Sequence, residues 1–565
     1  MAKHVAEKLA ALAPLFSDIL HLGGGVGMSL GVLHHGEVIH TAHFGQQAIG
    51  SSAPPNDDTL YYVASLTKAI TAASTAILVE KHILEWDTPL AEYLPEFKQR
   101  DDDVGRQATL IDVLSHRTGL TGANALWIQR KQKFMMPKDE TVRTAAYIDA
   151  TMPFRSGFQY NNWGYGLATA LIEKVTGQTY GTFVRRNIFE PLTLKRITLD
   201  VPGFDNVASA NMVYDDGSPC QIRTPPNSDL TGLAGAGGAK TSLSDLLHLY
   251  KSLLSQYTIE SSGNEAAASN SPSPFRQVRN LFEGRIGIGN ASIAKNSYAL
   301  GWVKAVLPER LGIIGMNTGF IGPENMPVIG KNSPGVTVLY HHGNLVGAIS
   351  SAHLIPETET AIVVMSNTMG LSDTTDWIGQ LVLQTILEEE PHDYVQLSKS
   401  SKEGSLQQFA SVIEELKQGK TDIPPSQRLE AYCGRYYNAI GNFVLEITLQ
   451  KDGEGLIMMV QDLDEVVYEL ISYDKDSFYW PCDREEELCN QMMFPWTWAG
   501  VHKIEFDVTE EGDVRSLTWK HDSLASPEVF RRQTNNNSIP QQQAQHILGN
   551  ISGKCSYFQR LHTLI

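Results

Sequence analysis

Ser65-Leu66-Thr67-Lys68 sets a hydroxyl and an amine three residues apart, where a run of helical pattern begins. At that spacing the two side chains share one face of a helix. Such a lysine takes the serine's proton only when it is itself neutral. Lowering its pKa from about 10.4 to about 7–8 takes roughly 4 kcal/mol of desolvation and neighbouring positive charge. A helix N-terminus contributes on both sides, offering free N–H groups to an oxyanion and disfavouring a protonated amine. The S-x-x-K tetrapeptide recurs at Ser292/Lys295 and Ser472/Lys475, but only Ser65 opens a long apolar helix. Ser65 is therefore the candidate nucleophile and Lys68 its candidate base.

Two further segments have matching chemistry. Tyr160-Asn161-Asn162 follows the loop signature Pro153-Phe154-Arg155-Ser156-Gly157 and precedes a predicted helix beginning near Leu167. A tyrosine delivered beside a Ser–Lys pair can shuttle the proton to a leaving group. Asn162 can hold the lysine and a substrate amide. Taken alone, the same tyrosine reads as a loop residue capping the next helix. His341-His342-Gly343-Asn344 follows an apolar strand. A glycine there lets backbone approach a ligand closely, and neighbouring N–H groups can complete an oxyanion hole. Taken alone, this too is an ordinary hairpin strand.

The elements that must position these residues are legible in outline. Residues 1–22 place Val5, Leu9, Leu12, Phe16, Ile19 and Leu20 at helical spacing, which predicts a surface helix docked on a sheet rather than a signal peptide. Gly25 to Gly45 reads as strand, turn, strand, and Ser65 to Leu84 as a helix. Val336–Tyr340, Ala348–Ile355 and Thr360–Ser366 read as consecutive strands. Helices between strand blocks imply α+β layering with terminal strands sharing one sheet. Residues 261–274 read as a flexible insertion, and 396–427 as a linker broken by Ile423-Pro424-Pro425. Beyond it, alternation at Phe443, Leu445, Ile447 and Leu449 begins a small antiparallel β domain.

In this order the three segments resemble the serine β-lactamase and penicillin-binding protein superfamily, with its S-x-x-K, S/Y-x-N and K/H-x-G motifs. The resemblance is to the class C β-lactamase-like branch of esterases, D-aminopeptidases, acyltransferases and fungal β-lactamase/transpeptidase-like proteins, over roughly residues 15–390. Leu114-Ser115-His116-Arg117-Thr118-Gly119-Leu120 and Gly237-Gly238-Ala239-Lys240-Thr241 are further landmarks in family order. The resemblance implies an α+β catalytic domain at 1–395, an antiparallel sheet flanked by helices plus an all-α subdomain. A lipocalin-like β-barrel would fill 428–565, on the weaker match of Tyr432-Cys433-Gly434-Arg435-Tyr436. It also implies an acyl-enzyme on Ser65 with Lys68 as base and Tyr160 as proton shuttle. Asn162, His341, Gly343 and Asn344 would bind or position substrate, and the N–H groups of Ser65 and Asn344 would form the oxyanion hole. His341 stands where many β-lactamases carry lysine, so a carboxylate-binding cation would be lost or pH-dependent. An ester or amide of a small molecule, in secondary metabolism, is the expected substrate. Acyl transfer or cyclisation would use the same residues, and a non-catalytic scaffold that kept the fold is the third reading.

Composition narrows the partners. The 565 residues are 42% hydrophobic and 19% charged with a net charge of −18, which argues against general affinity for nucleic-acid phosphates or anionic membranes. No stretch approaches the roughly 20 apolar residues that span a bilayer. Five sparse cysteines suit a reducing compartment, so a cytoplasmic location without disulfides is expected. No cofactor or metal is expected, since HExxH and paired CxxC are absent and Cys482 and Cys489 read as incidental thiols. Gly27-Met28-Ser29-Leu30-Gly31 matches the G-x-S-x-G nucleophile elbow, but that motif needs a strand–turn–helix and Ser29 lies inside an alternating strand. Gly235 to Thr241 has a P-loop flavour with failed spacing. Phe494-Pro495-Trp496-Thr497-Trp498 reads as β-domain core or domain interface.

Overall fold

The computed structural model describes residues 2–200, 203–451 and 453–533, and the chain divides into two units. The first comprises Met1–Gln418, Pro481–His502 and His521–Ser526, and the second is the remainder from Gly419 on.

Strict alternation at Met28, Leu30 and Val32 makes the first strand, β1 (Gly27–His34), two-faced. It turns through His35-Gly36 into β2 (Glu37–Gly45). Much later come β3 (Ile286–Gly287), β4 (Asn296–Tyr298), β5 (Val303–Val306), β6 (Thr337–Leu345), β7 (Ala348–Ile355) and β8 (Thr360–Ser366). These eight form one antiparallel sheet in the order β2-β1-β8-β7-β6-β5-β4-β3. The terminal blocks are joined by β1 against β8, with Leu30 opposite Val364. The expected α+β layering with a shared sheet is therefore present.

One face of the sheet carries the apolar alternates. Met28, Leu30 and Val32 bury against Val5, Leu9, Phe16 and Ile19 of the helices α1 (Ala2–Ala11) and α2 (Ala13–Leu22), with Trp377, Ile378 and Leu381 beside them. Pro14 at the start of α2 breaks the single helix read from the sequence into two. Each such side chain, fully buried, contributes about 1.5–3 kcal/mol. On the opposite face Gly31 leaves room for Leu243 and Leu247 of a long helix, Leu243–Ser261. Between the strand blocks lie α3 (Thr67–Glu80), α4 (Trp163–Thr176) and several single-turn helices. After β8 come α5 (Thr374–Ile386) and α6 (Tyr394–Gly419).

The second unit holds a closed antiparallel barrel of eight strands running from Gly434 to Arg532, the last strand pairing back on the first. Its alternation is the one read from the sequence, Leu445 and Ile447 inward and Thr448 outward.

One reading is corrected and two are refined. Residues 396–427, expected as a linker, are mostly the 26-residue helix α6, which belongs to the first unit as far as Gln418. Within 261–274 a short helix, Glu265–Ser269, forms behind the Asn264 cap. The segment with Phe494 and Trp496 lies in the first unit, not in the barrel core. Cys220, Cys433, Cys482 and Cys489 are free, and Cys555 and the Gln/Asn-rich stretch past 533 lie outside the described residues. No helix among the described residues is long and apolar enough to cross a membrane.

Candidate active site

Ser65 sits in a single 3-10 turn, Ala64–Leu66, that leads into α3. The residue before it, Ala64, has φ +45°, a left-handed backbone that costs a non-glycine residue about 1–2 kcal/mol. The Thr67 hydroxyl holds that turn, donating to the Ala64 carbonyl at 2.6 Å and accepting from Ala239 N at 3.0 Å. From the other side β6 presses in at Gly343. A Cβ there would stand 2.2 Å from the Val63 carbonyl and 2.3 Å from Ser350 Oγ, so only glycine fits. The close approach at Gly343, expected toward a ligand, is instead to the segment that enters the Ser65 turn. Asn344 follows in the same strand opposite Ile349, with its Oδ1 buried.

Lys68, in the first turn of α3, is fully buried. Its Nζ lies 3.0 Å from Ser65 Oγ, 2.8 Å from Asn162 Oδ1 and 2.8 Å from the Ala236 carbonyl. Burial holds its ammonium well below the usual lysine range. A neutral amine has two N–H bonds and one lone pair. The two carbonyl oxygens can only accept, so they take both hydrogens and leave the lone pair facing Ser65 Oγ. The Ala236 carbonyl comes from the glycine-rich stretch with P-loop flavour, which forms a single helical turn, Ala234–Gly237. Its role as an acceptor is invisible in the sequence, because any residue type supplies a carbonyl.

Tyr160 donates its hydroxyl proton to Ser65 Oγ at 3.0 Å. Burial pushes that phenol above its ordinary pKa, against the hydrogen bond to Ser65, so it stays protonated at neutral pH. The loop that delivers it is clamped at both ends. Asp112, fully buried, accepts from Arg155 Nε at 2.8 Å and Arg117 Nε at 2.6 Å. At the other end His116 Nδ1 accepts from Asn161 N at 3.1 Å, while the His116 ring stacks on Tyr160 at 4.3 Å between centroids. Since Nδ1 accepts, the His116 proton is on Nε2. Burial, with Lys68 and His341 nearby, keeps this imidazole neutral. The sequence offered His116 only as a landmark, yet it fixes the ring that reaches the nucleophile.

His341 lies on β6 within 6.2 Å of the Tyr160 ring, fully buried beside Tyr298. The cap of α4 falls to Asn161, whose Oδ1 accepts from Gly164 N at 2.8 Å. Asn162 is thereby left to Lys68. Ser65, Lys68, Tyr160 and Asn162 thus converge on one hydrogen-bonded cluster, with His341 and Gly343 on the adjoining strand.

The other candidates are placed elsewhere. Ser292 and Lys295 are in an exposed turn, and Ser472 and Lys475 at a barrel hairpin. Ser29 does have acid–base company, with Oγ 2.8 Å from His43 Nδ1 and His43 Nε2 3.1 Å from Asp57 Oδ1. It is nonetheless 0% exposed in mid-strand and bonded to Tyr61 Oη at 3.0 Å, so no substrate carbonyl can reach it. Among the described residues, two buried groups carry metal-ligand types with donor atoms within 4.8 Å of one another, His342/His353/Asp376 and Cys482/Glu487/His502. Neither includes a member of the Ser65 cluster.

The β-lactamase family model matches residues 12–384, and a domain of unknown function matches 418–537. An unguisins hydrolase from Aspergillus violaceofuscus is 32% identical over 39% of this chain and 40% of its own length. The esterase EstB from Burkholderia gladioli is 28% identical over 41% and 62%, and penicillin-binding protein 4* of Bacillus subtilis 23% over 52% and 63%. The chain spans about half the length of the curated relatives it matches. The octameric penicillin-binding protein homologue from Pyrococcus abyssi shares the fold at a TM-score of 0.54 and 17% identity, covering 93% of this chain and 99% of that one.

Proposed function

Because the chain belongs to the β-lactamase family, we propose that it is a serine hydrolase that forms an acyl-enzyme on Ser65. The observation that carries this reading is the hydrogen accounting at Lys68. With both amine hydrogens committed to Asn162 and Ala236, the lone pair is aimed at Ser65 Oγ. Lys68 takes the serine proton as Oγ attacks an ester or amide carbonyl, giving a tetrahedral intermediate. Its oxyanion is received by the Ser65 and Asn344 N–H groups. Tyr160, a protonated phenol on the same oxygen, relays the proton to the departing alkoxide or amine. Water then attacks the acyl-enzyme, the proton path reverses, and a carboxylic acid leaves.

The substrate class we propose is an ester or amide of a small natural product, supported by the relatives named as unguisins hydrolases from two Aspergillus species. Transfer to an alcohol or amine would run through the same intermediate, with the acceptor in place of water.

The test is intact mass after incubation with a fluorophosphonate and with p-nitrophenyl esters. A single adduct on the wild type and on Ser29→Ala, absent from Ser65→Ala, is the expected result. An adduct that survives Ser65→Ala overturns the assignment.

A further inference from the structure

The Ser65 cluster depends on where Asn162 points, and Asn162 is carried on a shelf, residues 120–124, whose backbone holds its two neighbours and whose Asn124 side chain holds Asn162 itself. Thr121 O accepts from Asn161 Nδ2, Gly122 O from Trp163 Nε1 at 3.1 Å, and Asn124 Oδ1 from Asn162 Nδ2 at 3.3 Å. The shelf thus bonds the tripeptide 161–163 at every residue. Its middle is strained, because Ala123 has φ +39° and ψ +40°, a left-handed conformation that alanine avoids by about 1–2 kcal/mol.

What holds Ala123 there comes from far along the chain. Asp522 Oδ2 accepts from Ala123 N at 2.7 Å, across 399 residues. Its other oxygen, Oδ1, accepts from Leu524 N at 2.8 Å, so the carboxylate is itself fixed. Asp522 is only 9% exposed, and its segment His521–Ser526 belongs to the same unit as Ser65, although barrel strands flank it in sequence. A charge-assisted bond to a buried backbone N–H is among the stronger hydrogen bonds and costs most when one partner is removed.

We propose that Asp522 is a positioning residue of the Ser65 site, holding Ala123 left-handed so that the 120–124 shelf presents Asn162 to Lys68. This rests on the reading of Ser65 as nucleophile. It makes acylation depend on a carboxylate that lies beyond the chain's 12–384 match to the β-lactamase family. Asp522 does not touch the reacting atoms, and its effect passes through Asn162.

A double-mutant cycle on the full chain tests it, reading the rate of Ser65 acylation by a fluorophosphonate alongside the melting temperature. Asp522→Ala is expected to slow acylation by about 10–100-fold in the wild-type background, the scale of a displaced active-site group. In the Asn162→Ala background the same change should cost less than about threefold, because the path it acts through is already gone. Asp522→Asn keeps an acceptor for one of the two N–H groups, and should show a loss of roughly three- to tenfold that also vanishes with Asn162→Ala. It carries the cycle if Asp522→Ala does not fold. Equal losses in both backgrounds, tracking the melting temperature, would mean that Asp522 acts through stability alone and overturn the proposal. So would an unchanged rate in the wild-type background. Absence of any label on the wild type overturns the nucleophile reading instead, and the proposal with it.

Discussion

Tyr298 Oη donates to His341 Nε2 at 2.9 Å, while His341 Nδ1 lies 2.7 Å from the His342 carbonyl. A carbonyl only accepts, so the ring proton is on Nδ1 and Nε2 is an acceptor. Burial, with Lys68 nearby, holds this imidazole well below its usual pKa. The expected cation, lost or pH-dependent, is therefore lost. The pH–rate profile for Ser65 acylation should show no step near 6.5 that disappears in His341→Gln. Tyr298→Phe leaves a buried acceptor unpaired and should cost about 1–3 kcal/mol by denaturant unfolding.

Lys68 predicts an acid limb. A base acts in its neutral form, so acylation is present above the folded pKa of Lys68 and lost as pH falls through it. Because burial lowers that pKa well below the lysine value, the limb should lie well on the acid side of 10.5. Lys68→Arg keeps a cation that does not deprotonate, and should lower the acylation rate constant at pH 7 by at least about a thousandfold. An arginine variant within tenfold of wild type would remove Lys68 from the base role.

Gly343→Ala would drive a methyl into the Val63 carbonyl and Ser350 Oγ. The oxygen of Val63 is backbone and cannot swing aside, so β6 and the Ser65 turn must part. Overpacking of this kind costs about 1–3 kcal/mol. Here a loss of at least about tenfold in acylation should accompany it, since displacement reaches the nucleophile. Melting temperature and acylation rate, measured together, check both.

Asp112 ties two arginines to the loop that delivers Tyr160. Its side chain is fully buried, and Arg155, Arg117 and Thr109 outweigh its desolvation to hold the carboxyl below its usual pKa. The stability it adds is present above pH 3.8 and lost as pH falls through its lower folded value. Asp112→Ala strands two guanidinium groups, one of them largely buried, and should cost about 3–5 kcal/mol in denaturant titrations at pH 7. The gap between wild type and variant should narrow as the titration is repeated toward pH 3.

The residues legible in the sequence are those whose spacing is local. Ser65 and Lys68 share a helix turn, and Tyr160 and Asn162 share a loop that Pro153 and Gly157 announce. The strands around Gly343 declared themselves by short, β-branched, largely apolar runs. What escaped is set by contacts across the chain. The Ala236 carbonyl has no side-chain signature, and His116 and Asp522 are polar residues in polar surroundings until the fold closes around them. Helix α6 was hidden for another reason. Its buried face runs Tyr394, Ser398, Ser401, Ser405, Phe409, Val412 and Leu416, so serines occupy positions where the helical period would otherwise show apolar residues.

The pairing of β1 with β8 also has a history for each molecule made. During synthesis the hairpin of β1 and β2 emerges well before β8, with the bonding edge that awaits residues 360–366 still bare. More than three hundred residues must leave the ribosome before that edge is covered, and unpaired strand edges recruit other chains. The Ser65 turn emerges within that interval, and Asp522, which steadies the Ala123 shelf, emerges later still. A nascent chain therefore carries Ser65 and Lys68 long before it carries Tyr160, Asn162 and the Asp522 that steadies their shelf. A chain terminated before β8 keeps that edge bare, and the pairing of β1 with β8 is what closes it to other chains.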